Sequence, residues 1–258
     1  MLDVKEIRKT FNAGTVNEKK ALKNINLTLE DGDFVTIIGG NGAGKSTICK
    51  TILNHPDYQI ISGNIVLDKE DITNKKTSEI AKKGIYLINQ NPIEIEGITT
   101  AELYRTALKE REEYLDLLSY RKLCSESLKQ VNLSKTFLHR NVNVGMSGGE
   151  RKKNELFGMW MLKPKVILFD EIDSGLDVDA LNTVADSILK YQKDYNAAIL
   201  LITHQQKLID KIKPDYIHVM KDGKIIQSGD ITLAKKIDLL GFEEITGTMS
   251  CSKEDFYE

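Results

Sequence analysis

Hydrophobic and polar positions divide this chain into three regimes. Over residues 1–30 apolar side chains alternate with polar ones, and the turn-rich stretch NAGTVNEKK interrupts them, the pattern of paired antiparallel strands. The segment GNIVLDKEDIT at 63–73 reads as a further strand with a turn, so both predict one antiparallel β lobe. Residues 99–133 are instead charged and helix-patterned, with Leu103, Leu115, Leu118, Leu123, Leu128 and Val131 set among Glu, Lys and Arg. The third regime is a set of short apolar runs separated by helical segments: FVTII at 34–38, VILFD at 166–170, AAILLIT at 197–203 and YIHVM at 216–220. Runs of this kind suit strands covered on both faces, so the predicted fold is α/β with an antiparallel β lobe and an inserted helical subdomain.

No internal repeat, low-complexity tract or Pro/Gly-rich linker divides the chain. Residues 1–245 are therefore expected to form a single domain, with the helical subdomain at about 91–160 and a polar tail at 246–258 that frays. At 258 residues and 41% hydrophobic content the chain can bury one substantial core. Its 36 basic and 38 acidic residues nearly balance, which leaves no electrostatic footprint for nucleic acid. The longest apolar run, Ala197 to Ile202, is too short to span a bilayer, and the N-terminus MLDVKEIRK is charged at once. A cytoplasmic protein is expected.

Chemistry concentrates first at Phe34 to Thr47, where an apolar strand runs into a glycine-rich loop. The loop Gly39, Gly40, Asn41, Gly42, Ala43, Gly44 leads to Lys45 and Ser46 and fits the P-loop pattern G-x4-GK-[ST], with Thr47 next in the following helix. Glycines let backbone N–H groups close around phosphates, Lys45 reaches the β and γ phosphates, and Ser46 offers a hydroxyl to Mg²⁺. The helix that begins there presents its positive end to the anion, so a phosphate-bearing ligand with Mg²⁺ is expected. Cys49, Cys124, Cys251 and the four histidines show no ligand spacing, and no other metal is expected.

Further polar groups stand at the ends of the other apolar runs: Gln90 after GIYLIN, Asp170 and Glu171 after VILF, and His204 after AAILLIT. Ligands of open α/β sheets bind at that edge. Ser147, Gly148, Gly149 and Glu150 open the helical stretch ERKKNELFGMWML, where exposed N–H groups form a second anion site; an ordinary helix cap reads the same way.

The order P-loop, SGGE, VILFDE resembles that of the ATP-binding cassette (ABC) ATPases, a branch of the P-loop NTPases, over residues 39 to 204. The resemblance implies Mg²⁺-dependent ATP hydrolysis with Glu171, His204 and Gln90 catalytic. Asp170 and Gln90 then join Ser46 around Mg²⁺, Glu171 polarises the attacking water, and His204 bonds the γ phosphate. It further implies that Ser147 to Glu150 meet the γ phosphate held by a second copy, with Asp177 of SGLD at the interface. Phe11 matches the position at which many cassettes stack an aromatic on adenine; it serves equally well as a core aromatic.

Between these motifs the resemblance narrows. GIYLINQNPIEIEGI, NVNVGMSGGERKKNE, DEIDSGLDVDALNTVAD and IKPDYIHVMKDGKIIQSGD are similar to the SufC-type ATPases of SUF iron–sulfur cluster assembly, over about residues 48–242. Transporter cassettes read closer to SGGQRQR and DEPTSGLD, where this chain has Lys152, Lys153 and Ile172-Asp173. The resemblance implies a SufB- or SufD-like scaffold as partner, reshaped by ATP-driven closure of two copies. The alternative is the cytoplasmic subunit of an ABC membrane transporter, which meets a membrane only indirectly. Residues 1–47 are more similar to amino-acid importer ATPases, so the chain reads as mosaic, either a divergent member or a hybrid.

Two local expectations follow. Ile93, Ile95 and Ile98, among acids after Gln90, are expected to form a docking surface unless they pack inward. Asp170, Glu171 and Asp173 crowd three carboxylates together, and Lys152, or failing that Lys153, is expected to hold Glu171 out of catalytic position unless both lysines point to solvent.

Overall fold

A computed structural model describes residues 1–241; the expected tail at 246–258 and the end of the domain at 245 lie outside the described residues. Alternation at the N-terminus produces a hairpin of β1 (Leu2–Phe11) and β2 (Lys19–Leu29), joined on the other edge of β1 by β4 (Ser62–Leu67) and then β5 (Glu70–Asp71). Every pairing in this sheet is antiparallel. Leu2 lies between Leu29 and Leu67, and Val4 between Leu27 and Ile65. These cross-strand rows bury one face of the lobe.

The apolar runs make the second sheet. Its order is β12 (Lys224–Gly229), β11 (Tyr216–Lys221), β3 (Phe34–Gly39), β10 (Ala198–Ile202), β9 (Val166–Asp170) and β6 (Ile85–Ile88). All its pairings are parallel except β11 with β12. Alternate residues explain why the runs are unbroken. Ile167, Phe169, Ile199 and Leu201 join the core that faces the helices, while Val166, Leu168, Ala198 and Leu200 join the core shared with the antiparallel lobe.

Helices α1 (Lys45–Ile52) and α2 (Thr77–Lys82) precede a third, two-stranded sheet of β7 (Ile95–Thr99) and β8 (Asn141–Val142). Between those strands run α3 (Thr100–Glu110) and α4 (Leu117–Gln130), and α5 (Gly148–Leu162) follows. Tyr104, Leu108, Tyr120, Leu128 and Phe157 continue the core beneath the large sheet. The helix-patterned stretch is broken between α3 and α4, so Leu115 falls outside both helices and, like Leu118 at the start of α4, is exposed. Helices α6 (Val178–Tyr195), α7 (Gln206–Ile212) and α8 (Ile231–Leu240) complete the described fold.

Helix α5 is fixed closely against β6 and α3. Tyr86 donates from its hydroxyl to the Glu155 carbonyl at 3.3 Å. A Cβ on Gly158 would come within 2.3 Å of both the Tyr86 and Tyr104 hydroxyls. Gly158→Ala is accordingly expected to lower stability by about 1–3 kcal/mol despite alanine's better helix propensity. Urea unfolding should show the midpoint falling; an unchanged or raised midpoint would contradict this packing.

Candidate active site

The P-loop is shaped by close backbone approaches. A Cβ on Gly39 would sit 2.2 Å from the Met220 carbonyl oxygen, and one on Gly44 would sit 2.6 Å from that of Ala21. Gly44 also has φ 107, so glycine is required there on both counts. Next to it Lys45 is buried, and its ammonium donates to the carbonyls of Gly39 at 2.9 Å and Gly40 at 3.1 Å. Burial lowers the Lys45 pKa, and the Glu171 and Asp170 carboxylates oppose that shift. Ala43 donates its N–H to Gly40 and closes the turn.

A cavity of about 220 Å³ opens over this loop. Asn41, Gly42, Gly44, Lys45, Ser46 and Thr47 form one wall. Phe11, Lys19 and Ala21, from β1 and β2, form another, and Glu171 also reaches it. Phe11 is half-buried, packed edge-on against Tyr58 with ring centroids 5.3 Å apart, at the cavity rather than in the lobe core. Lys19 was not expected here. Its only sequence signal is the basic pair in NEKK, which turn composition absorbs.

The strand ends supply the remaining groups. Ser46 donates from Oγ to Asp170 Oδ1 at 2.7 Å, and Asp170 lies at the end of β9, opposite Ile202 of β10. Burial raises the Asp170 pKa against the opposing effect of that hydrogen bond. The next residue, Glu171, has φ 49, a left-handed conformation that costs a non-glycine residue about 1–2 kcal/mol. Its amide donates to the Ile202 carbonyl at 3.0 Å. Gln90 Nε2 donates to Glu171 Oε2 at 2.6 Å, His204 Nε2 lies 3.2 Å from Oε1, and Lys45 Nζ lies 3.9 Å from Oε1. Thus Gln90, His204, Lys45, Ser46, Asp170 and Glu171 form one cluster.

Lys152 does not latch Glu171. Its buried ammonium donates to the carbonyls of Asn89, at 3.3 Å, and Gln90. The reason is geometric. Lys152 faces the segment after β6, and Gln90, His204 and Lys45 already surround the Glu171 carboxylate. Asp173 is likewise engaged elsewhere, accepting from Thr203 Oγ1 at 2.9 Å.

At the N-terminus of α5 Ser147 and Gly148 are exposed and Gly149 is half-buried, and none of the three lines the cavity. Ser147 Oγ accepts from the Glu150 amide at 3.3 Å, and the Glu150 carboxylate accepts from the Ser147 amide at 2.8 Å, a capping box. Glu150 also pairs with Arg140 at 3.5 Å. Asp177 caps α6 by accepting from the Ala180 amide at 2.8 Å. Ile93 and Ile98 are exposed and Ile95 is half-buried, so this segment does not pack wholly inward.

The cluster fits a polyphosphate with a hard divalent cation. A Cβ on Gly42, in the cavity wall, would meet nothing nearer than Lys19 Nζ at 3.8 Å, so the missing side chain leaves the cradle open beside a cation. Ser46, Asp170 and Gln90 offer oxygen ligands only. They fit Mg²⁺, an ion bound through one or two protein ligands plus phosphate oxygens and water.

Behind the cluster, burial raises the Glu155 pKa from the ordinary 4.5 to about 7, opposed by its hydrogen bond from Asn143 and by the Lys152 charge. The folded chain therefore retains a proton that the unfolded chain has released between those values. The cost to the fold grows as pH rises through that window and is complete above it. Glu155→Gln is expected to raise Tm by about 2–4 °C at pH 8 and to leave it nearly unchanged at pH 4.5. Equal shifts at both pH values in differential scanning calorimetry would contradict the assignment.

Comparison with known proteins places the chain among relatives. The family model described as ABC transporter matches residues 22–174. Over 233 residues the chain is 45% identical to the probable ATP-dependent transporter ycf16 of Guillardia theta, covering 88% of this chain and 92% of that protein. It is 40% identical to the ycf16 protein of Trieres chinensis, covering 94% of this chain and 96% of the relative. Vegetative protein 296 of Bacillus subtilis is 37% identical, covering 93% and 92%. Among solved structures, the dimeric post-hydrolysis state of the ATP-binding cassette MJ0796 bound to ADP and Pi aligns with TM-score 0.78 at 24% identity, covering 90% of this chain and 99% of that one.

Proposed function

The chain belongs to the ABC transporter family of ATPases and hydrolyses ATP with Mg²⁺; from that premise we propose that it is the ATPase subunit of SUF-type iron–sulfur cluster assembly, closing as an ATP-bound dimer to reshape a SufB- or SufD-like scaffold. The observation that carries the chemistry is the convergence of Gln90, His204 and Lys45 on Glu171, beside Ser46 and Asp170. Ser46, Asp170 and Gln90 would hold Mg²⁺, which would supply a Lewis acid to the phosphates. Lys45 binds the phosphates, Phe11 packs the adenine, Glu171 aligns the attacking water and takes its proton, and His204 bonds the γ phosphate.

Dimerisation is proposed because Ser147, Gly148 and Asp177 stand exposed, with Gly149 half-buried beside them, outside the cavity of their own chain. A second copy brings these N–H groups, at the start of α5, to the γ phosphate. The dimeric MJ0796 cassette supports this arrangement by its likeness of fold. The cluster-assembly reading rests on resemblance in the segments after Gln90, around SGGE and after Glu171. Among the described residues no helix is long and apolar enough to cross a membrane. A transporter subunit is the second reading, favoured by the naming of the ycf16 relatives as probable ATP-dependent transporters. The 94% span of the match to the Trieres chinensis relative takes in most of residues 1–47 with the rest, which supports a divergent member over a hybrid.

Glu171→Gln keeps the shape of the side chain without its basicity, and is expected to retain ATP binding while lowering turnover about 10²-fold or more. Lys45→Ala removes the phosphate-binding charge and should weaken nucleotide binding itself. Phosphate release near the wild-type rate from Glu171→Gln would refute the assignment. To separate the two partner readings, the tagged chain can be purified from its native host. A soluble scaffold is expected to accompany it and to be lost on Ile93→Glu or Ile98→Glu with nucleotide binding intact; an integral membrane protein would identify a transporter subunit.

A further inference from the structure

The start of α5 grips the segment that follows β6. Lys152 donates to the carbonyls of Asn89 and Gln90. Asn143, just after β8, donates to the Ile93 carbonyl at 2.9 Å and is itself held by Asn154, whose amide donates to Asn143 Oδ1 at 2.9 Å. Arg151 pairs with Glu94 at 2.5 Å and donates from Nε to the Met146 carbonyl at 2.9 Å. Successive residues of one helix thus fix both ends of the stretch 89–94.

Lys152 is the costly member of this set. It is only 4% exposed, and it donates to neutral carbonyl oxygens rather than to a carboxylate. Burying an ammonium without a paired anion is unfavourable, and burial lowers its pKa even though Glu155, Asp173, Asp170 and Glu171 favour the charged form. A methionine would fill the same volume without that penalty. What the charge achieves lies one residue further on. The Gln90 whose carbonyl it holds directs its side-chain amide at Glu171, at 2.6 Å.

We propose that Lys152 is a positioning residue for ATP hydrolysis: by anchoring the backbone at Asn89 and Gln90 to the helix that begins with Ser147, Gly148 and Gly149, it sets where the Gln90 amide stands relative to Glu171. The inference rests on the reading of Glu171 as the residue that aligns water, and it assigns Lys152 no contact with nucleotide. Because Lys152 and the SGG residues share one helix, displacement of α5 when a second copy engages its N-terminus moves the anchor of Gln90 with it. The exposed Ile93 belongs to the same gripped segment, so a partner bound there shifts the same anchor from the other side.

A double-mutant cycle of the full chain tests this, with multi-turnover phosphate release and fluorescent-ATP binding as readouts. Lys152→Met is expected to lower kcat about 10-fold with nucleotide Kd changed less than about 2-fold, the split expected of a residue that acts through another. In a Gln90→Ala background the same substitution should cause no further loss, because its target is gone. Lys152→Gln keeps an N–H donor and should recover part of the rate; should Lys152→Met fail to fold, the cycle run with Lys152→Gln and its smaller loss carries the same test. Additive losses in the Gln90→Ala background, a kcat no lower than wild type, or a fall in ATP affinity matching the fall in turnover would each overturn the proposal. Glu171→Gln, measured alongside, separates the two claims: if it too turns over normally, the role of Glu171 fails, whereas an inactive Glu171→Gln beside a fully active Lys152→Met rejects the role of Lys152 alone.

Discussion

A carboxylate placed at the end of a buried parallel strand must be compensated, and the compensation of Glu171 organises the site. Its backbone is turned left-handed at φ 49 immediately after β9, and its side chain meets Gln90, His204 and Lys45. Gln90 and His204 follow β6 and β10, and Lys45 opens α1 beyond the loop after β3, so only the assembled sheet brings them together. The same strand carries Asp170, which Ser46 satisfies from the start of α1. Sheet register, P-loop geometry and electrostatics are therefore one constraint.

On the proposed reading, that constraint produces a half-site. The cavity over the P-loop has Lys19, Lys45, Ser46 and the Phe11 ring in its walls, whereas Ser147 and Gly148 are exposed at a helix start outside it. The tie between them runs through α5. Lys152, Arg151 and Asn154 on this helix connect to residues around Gln90, directly or through Asn143. The helix start that we propose a second copy meets and the group beside Glu171 thus share one support, which would be a physical route from assembly to chemistry.

Much of this was legible in the sequence because period and punctuation agree with the tertiary structure. The unbroken runs at 166–170 and 198–202 are strands covered on both faces, and the alternating N-terminus is an antiparallel sheet. The P-loop, Gln90, the acid pair and His204 each follow a readable strand, and the structure places them in one cluster. What was not legible depends on which way a side chain turns in three dimensions. Crowded carboxylates suggested that Lys152 seeks Glu171, but helix phase directs it to carbonyl oxygens, which have no sequence signature. Lys19 reaches the cavity through the packing of the antiparallel lobe on the P-loop, a contact between segments that no local pattern encodes. Leu115 and Leu118 were expected within a helical stripe and are exposed, because the break between α3 and α4 interrupts it.

The central claim is that each chain binds ATP alone but hydrolyses it only when a second copy supplies Ser147, Gly148 and Gly149. The most direct test is the rate of phosphate release per chain at saturating ATP and Mg²⁺, measured over a wide range of chain concentration. The account predicts a specific activity that rises with concentration and levels off once the dimer is saturated, while nucleotide binding is independent of concentration. A specific activity that stays constant down to concentrations at which sedimentation shows only monomer would contradict it.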